Sequence, residues 1–177
     1  MSKWVIDKAF DGVYGHRVWN QSLNEKFSFT SHCKCRHLHG HNYLIKVYLE
    51  SDTLQNHMVT DFNNLTWLKK FLDDYIDHKF VIDINDPLYD KIVGSRVFSP
   101  VFIDGVDKPV GHTIDLGVIE GVDREYLESF FVVDFAPTSE NLSEWIFKFA
   151  KEKMLILADV VRVDWHETPK SRASYQE

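Results

Sequence analysis

An α+β fold is expected from three features of the chain. Apolar residues alternate at Tyr43, Ile45, Val47 and Leu49, the period of a strand with one buried face. Leu65, Leu68, Phe71, Leu72, Tyr75 and Ile76 recur at helical spacing, and Leu142, Trp145, Ile146 and Phe149 form a second such stripe. Strands combined with two long helices suit an α+β arrangement.

Taken in order, the strand at Tyr43 is opened by His39 and His41, which share its buried parity. The first helix follows Met58-Val59-Thr60-Asp61-Phe62, where Asp61 can act as N-cap. Between Asp86 and Asp134, Gly94, Pro100, Gly105, Pro109, Gly111, Gly117 and Gly121 interrupt short apolar runs such as Val101-Phe102-Ile103, so an irregular insertion with some strand is expected. The second helix is announced by Pro137-Thr138-Ser139-Glu140-Asn141, with Thr138 as cap and Glu140 suited to the positive helix start. A last strand is expected from Val160 to Glu167, with Val161, Val163 and Trp165 on one face and Glu167 ending that row; Pro169 to Glu177 read as a polar tail.

With 177 residues, 44% of them hydrophobic, the chain can bury a core of its own, and residues 1–177 are expected to form a single domain. No run of about 18 apolar residues suggests a membrane span, and Met1 to Phe10 is too charged for a secretory signal, so a cytoplasmic protein without membrane partners is expected. A formal charge of −7 argues against a broad nucleic-acid surface, which must neutralise many phosphates. A small anionic ligand needs only a local basic pocket.

The densest chemistry is Cys33-Lys34-Cys35-Arg36-His37-Leu38-His39-Gly40-His41-Asn42-Tyr43. On a strand, His39 and His41 stand on one face with Cα atoms roughly 7 Å apart, close enough for both imidazoles to reach one ion at about 2.1 Å. His37 shares their parity but would lie roughly 13 Å from His41 on a straight strand. The third ligand therefore comes from another element, with His16 and His32 as candidates, leaving the open coordination position that catalytic zinc sites keep. Two cysteines two residues apart make a poor mutual disulfide. They could join the histidines in a closed structural site, or supply a thiol whose pKa a neighbouring cation lowers, making it a general base.

Cys35-Arg36-His37-Leu38-His39-Gly40-His41 resembles the C-x-x-x-H-G-H of bacterial 6-carboxytetrahydropterin synthases; animal 6-pyruvoyl-tetrahydropterin synthases place the cysteine two residues earlier, where this chain has Cys33. Asp77-His78 is similar to the Asp-His pair of the same superfamily, Thr138-Ser139-Glu140-Asn141 to its T-x-E-N, and Glu167-Thr168 to its late E-T, in the same order. The likeness covers most of residues 10–86 and 134–168. His16-Arg17 is similar to the family's earlier histidine, although Gly12 stands where the family has Phe, and the segment from Leu88 to Val133 is longer than in compact members.

The resemblance implies a tunnelling fold, with an antiparallel sheet backed by two helices on one face plus the insertion at 88–133, and assembly as a homohexamer of two trimers. It implies a zinc ion (Zn2+) held by His16, His39 and His41, Cys35 as catalytic base, and His78, oriented by Asp77, moving protons on the other side of the substrate. Glu167 would take the pterin's aminopyrimidinone edge, with Thr138 and Ser139 near the ring. The implied reaction converts 7,8-dihydroneopterin triphosphate to 6-carboxy-5,6,7,8-tetrahydropterin with release of acetaldehyde and triphosphate, on the route to queuosine and other 7-deazaguanines. Elimination to 6-pyruvoyl-tetrahydropterin stays open through Cys33. A zinc hydrolase that needs neither cysteine and a non-catalytic pterin or metal binder are the competing classes.

Overall fold

The computed structural model describes residues 3–177; Met1 and Ser2, the start of the expected domain, lie outside the described residues. Strand β1 (Trp4–His16) and strand β2 (His39–Ser51) pair antiparallel over their full length, with Gly12 opposite Tyr43 and His16 opposite His39. The inward rows are Phe10, Tyr14 and His16 on β1 and Tyr43, Ile45, Val47 and Leu49 on β2.

An Asp61-capped 3-10 turn (Phe62–Leu65), in which the Asp61 carboxylate accepts from Asn63 N at 2.7 Å, leads into helix α1 (Thr66–Tyr75). After β3 (Lys79–Asp83) come the single turn α2 (Tyr89–Ile92), strands β4 (Phe98–Val101) and β5 (Gly111–Ile114), helix α3 (Gly121–Glu128) and strand β6 (Phe130–Val133). Helix α4 (Ser139–Met154), strand β7 (Asp159–Thr168) and strand β8 (Ser171–Gln176) complete the chain. All eight strands form one sheet in the order β4-β5-β6-β3-β1-β2-β7-β8, antiparallel except where β3 lies parallel to β1 and β6.

Helices α1 and α4 cover one face of this sheet. Leu68, Phe71 and Leu72 from α1 and Leu142, Ile146 and Phe149 from α4 join Ile45, Val47, Val163 and Trp165 in one core, and the Phe71 and Phe149 rings stand 5.4 Å apart. Burial of each such side chain stabilises the fold by about 1.5–3 kcal/mol. Thr138 accepts from Asn141 N and caps α4 as its spacing indicates.

Three expectations are corrected. Residues 88–133 are a regular part of the sheet: β4, β5 and β6 extend it beyond β3, and α2 and α3 cover its reverse face through Tyr89, Val93 and Leu127 packed on Ile82 and Val132. The glycines and prolines mark turns between short elements. The polar tail contains β8, which pairs with β7 and rests the Tyr175 ring 5.0 Å from Phe147. Its one solvated face and its place at the sheet edge hide the apolar signal. Finally, the register of β2 with β7 shifts between Tyr48 and Leu49, so Val160 rather than Val161 joins Val163 and Trp165 in the buried row.

On the opposite face of β7, buried Asp164 accepts 2.6 Å bonds from Arg162 Nε and Nη2 and a 3.0 Å bond from Tyr48. Burial alone would raise this carboxyl, but Arg162, Ser174 and Tyr48 outweigh it and hold it below the usual carboxylate range. The stabilisation is present above the unfolded aspartate value of about 3.9 and is lost as pH falls through the lower folded value. Asp164→Asn should cost about 1–3 kcal/mol at neutral pH. In urea unfolding curves the difference from wild type should shrink below about pH 4.

Candidate active site

The inward rows of three strands end together. Antiparallel pairing sets His16, last in β1, beside His39, first in β2, and His41 follows two residues on along the same face. Glu167 brings a carboxylate from the end of β7. His16 Nε2 lies 3.1 Å from His39 Nε2 and 3.2 Å from Glu167 Oε1, and His41 Nε2 lies 3.3 Å from the same oxygen. The four donor atoms all fall within 4.8 Å of one another.

The other ring nitrogens fix what these atoms can do. His16 Nδ1 donates to the Pro137 carbonyl at 2.7 Å, one residue before the cap of α4, and His39 Nδ1 donates to the His37 carbonyl at 2.8 Å. A neutral imidazole that donates through Nδ1 has a bare lone pair at Nε2. Two such lone pairs therefore point at each other across 3.1 Å. His41 Nε2 is buried and misaligned with Glu167, which leaves it without a hydrogen-bond partner. Burial, with smaller contributions from His16 and His39, holds His41 below the ordinary histidine value against the pull of Glu167, favouring the neutral ligand form. The Glu167 carboxyl lies below the usual carboxylate range, held down against its own burial by His16 beside it, then by His41 and Ser139. Repelling lone pairs, an orphaned nitrogen and an ionised carboxylate together fit a bound divalent cation.

Of the sequence candidates, His16 joins His39 and His41 in this cluster. His32 does not: it lies on an exposed stretch against Ser31. His37 is exposed and contributes its backbone carbonyl to His39. His37 stands just after the 3-10 turn Lys34–Arg36, outside the strand, and does not join the cluster.

The cluster connects two concavities. A cleft of about 490 Å³ is lined by His39, His41, Asn42, His78, Lys79 and Phe80. A smaller pocket of about 170 Å³ holds Cys35, Thr138, Ser139, Glu167 and Arg172. Cys35 and the pair Asp77-His78 therefore approach the cluster from different sides. A third groove of about 410 Å³, between α4 and residues 106–110, carries none of the sequence-predicted site residues.

His78 sits on a turn with φ +58°, its side chain largely exposed, and donates from Nδ1 to Asp77 Oδ2 at 2.8 Å. Asp77 also accepts from Val13 N at 2.9 Å, which ties this turn to β1 beside the cleft. Cys35 is held by its own carbonyl, which accepts from Val18 N at 2.8 Å. The expected lowering of its pKa is not found. Burial, then Cys33 beside it and the Glu167 charge, push the Cys35 thiol up to about 11.

The structural roles of five further residues went unread in the sequence. Tyr14 lies 4.9 Å from His16 and 5.3 Å from Trp165, centroid to centroid, and forms the apolar floor of the cluster. The alternation Phe10-Gly12-Tyr14-His16 carried that signal. Gly12 itself has a reason: a Cβ there would come within 2.5 Å of Tyr43 Oη and 2.7 Å of Asp77 Oδ1, so the Tyr43 phenol occupies room a larger residue would need. Gly40, between His39 and His41, lies against β1, and a Cβ would meet the Tyr14 carbonyl at 2.8 Å. Buried Arg17 and Asp86, paired at 3.1 Å, brace the segment after His16 against the turn following β3; no local pattern marks that pairing.

Comparison with known proteins agrees along the whole chain. The family model described as 6-pyruvoyl tetrahydropterin synthase matches residues 5–177. A 6-carboxy-5,6,7,8-tetrahydropterin synthase of Aquifex aeolicus is 35% identical, with 99% of each chain covered, so a segment the length of 88–133 has its counterpart there. The crystal structure of an uncharacterized protein from Wolinella succinogenes superposes with a TM-score of 0.90 at 38% identity, covering 100% of this chain and 99% of that one. The 6-pyruvoyl tetrahydropterin synthase of Caenorhabditis elegans shares the fold at a TM-score of 0.55 and 20% identity, over 100% of this chain and 97% of that one.

Proposed function

This chain belongs to the 6-pyruvoyl tetrahydropterin synthase family, and on that premise we propose that it converts 7,8-dihydroneopterin triphosphate and one water to 6-carboxy-5,6,7,8-tetrahydropterin, releasing acetaldehyde and triphosphate. The observation that carries this reading is the convergence of His16, His39, His41 and Glu167, the last of which also lines the pocket that holds Cys35. The closeness of the chain to the Aquifex synthase over its full length supports the carboxy product.

His16, His39 and His41 would hold zinc. When bound, the ion supplies Lewis acidity to the substrate's side-chain oxygens and a positive charge that offsets the upward push on the Cys35 thiol. Cys35, from the smaller pocket, would take a proton from a carbon of the substrate's hydroxylated side chain. His78 has its Nδ1 proton committed to Asp77, so its Nε2 is free to give or accept a proton in the cleft on the other side. Glu167 and Ser139 orient the ring in the smaller pocket, and the Thr138 hydroxyl is taken up by the helix cap.

Cys33, beside Cys35, supports elimination to 6-pyruvoyl-tetrahydropterin as a second reading. The carboxy product would enter a route to queuosine and related 7-deazaguanines. No helix among the described residues is long and apolar enough to cross a membrane, consistent with a cytoplasmic enzyme. The uncovered edges of β4 and β8 suit assembly into the proposed hexamer.

Incubating zinc-loaded protein with dihydroneopterin triphosphate and weighing the products decides the matter. A 6-carboxy product with stoichiometric acetaldehyde is expected. A pyruvoyl product would support the second reading, and absence of turnover by metal-loaded protein would overturn both.

A further inference from the structure

We infer that Glu167 is a displaceable fourth ligand of the metal, closing the coordination site in the free enzyme and leaving it when a pterin ring enters. The inference rests on the zinc and pterin reading above and assigns to one carboxylate two alternating partners.

Three observations lead to it. Glu167 Oε1 lies 3.2 Å from His16 Nε2 and 3.3 Å from His41 Nε2, among the histidine nitrogens rather than out in the pocket. One cation among these atoms would satisfy the orphaned His41 nitrogen, separate the facing lone pairs of His16 and His39, and take Oε1 as its fourth donor. The second observation is the backbone. The β7–β8 register shifts between His166 and Thr168, so Glu167 is the residue left out of that pairing, and the pairing of β7 with β2 ends one residue earlier, at His166. A bulge re-aims a side chain and frees it from ladder constraints. The third is the space beside it: Ser139 lies next to the carboxylate, and Arg172 and Cys35 line the same pocket, so a carboxylate leaving the cluster enters a polar recess.

The chemistry makes the two states exclusive. Two adjacent N–H donors on a ring edge take both carboxylate oxygens in parallel. Oε1 cannot hold that geometry and stay among the imidazoles. Entry of the ring therefore opens a coordination position at the moment the substrate's side chain arrives to use it. Linkage adds a consequence: a pterin with no side-chain hydroxyl competes with the metal for Glu167, so each weakens the other's binding by the same factor.

The test uses the full chain loaded with Co2+, whose visible absorption reports its ligand set. Glu167→Gln should alter that spectrum and weaken Co2+ binding, measured against a chelator, by about 10–100-fold or more, since loss of even an outer-shell partner costs that much. Adding unsubstituted pterin to wild type should shift the spectrum toward that of the variant and lower Co2+ affinity, while ring fluorescence should report weaker binding to loaded than to metal-free protein. If Glu167→Gln does not fold by circular dichroism, Glu167→Asp, which shortens the reach by one methylene, is measured in the same way. Pterin that binds wild type without changing the Co2+ spectrum, or a variant with unchanged spectrum and affinity, would overturn the switching role and leave the proposed function standing. Wild-type protein that takes up no Co2+ would overturn both.

Discussion

His16→Ala is expected to lose tight metal binding and turnover together. His16 is fully buried, its Nδ1 is spent on the Pro137 carbonyl and its Nε2 faces both His39 and Glu167, so no neighbour can substitute for it. Affinity for zinc should fall by more than about 100-fold, because removing an outer-shell partner already costs about 10–100-fold. Truncation also leaves a void against Tyr14, so His39→Ala, at a half-buried position, is the cleaner companion and should show the same loss. His37→Ala is the control. Its ring is exposed and it serves the cluster through a backbone carbonyl that alanine retains, so metal content should stay within a fewfold of wild type. Metal retained after dialysis, with turnover measured on the same samples, checks all three; retention by His16→Ala would remove it from the ligand set.

The second large effect is expected at the cysteines. Cys35→Ala should lower kcat by about 10²–10⁴-fold, the range of a positioned acid or base, with metal content unchanged. Cys33→Ala should cost less than about tenfold on the same scale. The distinction comes from position: Cys35 lines the pocket with Glu167, Ser139 and Thr138, whereas Cys33 meets it only as a neighbour of Cys35. A reversed order of effects would assign the base to Cys33 and favour the pyruvoyl reading. Equal retention of activity in both variants would point to the zinc hydrolase class instead.

Much of this site was legible because its signals are local. The two-residue spacing of His39 and His41 places them on one strand face whatever the rest of the chain does, and the caps at Asp61 and Thr138 act on donors two or three residues away. Asp77 and His78 are neighbours and bond directly. The family's motifs are built from such short spacings, and the comparisons bear out the family and fold those motifs indicated.

What escaped depends on register. That His16 rather than His32 meets His39 follows from thirteen aligned pairs of β1 and β2, set by where Phe10, Tyr14 and Ile45 find the core. A bulge opposite Tyr48 and Leu49 put Val160 in the place expected for Val161, and a second one aims Glu167 at the histidines. The stretch 88–133 looks irregular because its strands are only four residues long, yet the open edge of β3 gives them hydrogen bonds and α2 and α3 bury their reverse face. Residue types and short spacings settled which groups could bind metal and move protons. Strand register and two bulges, whose energies are shared among residues far apart in the chain, decided which of them meet.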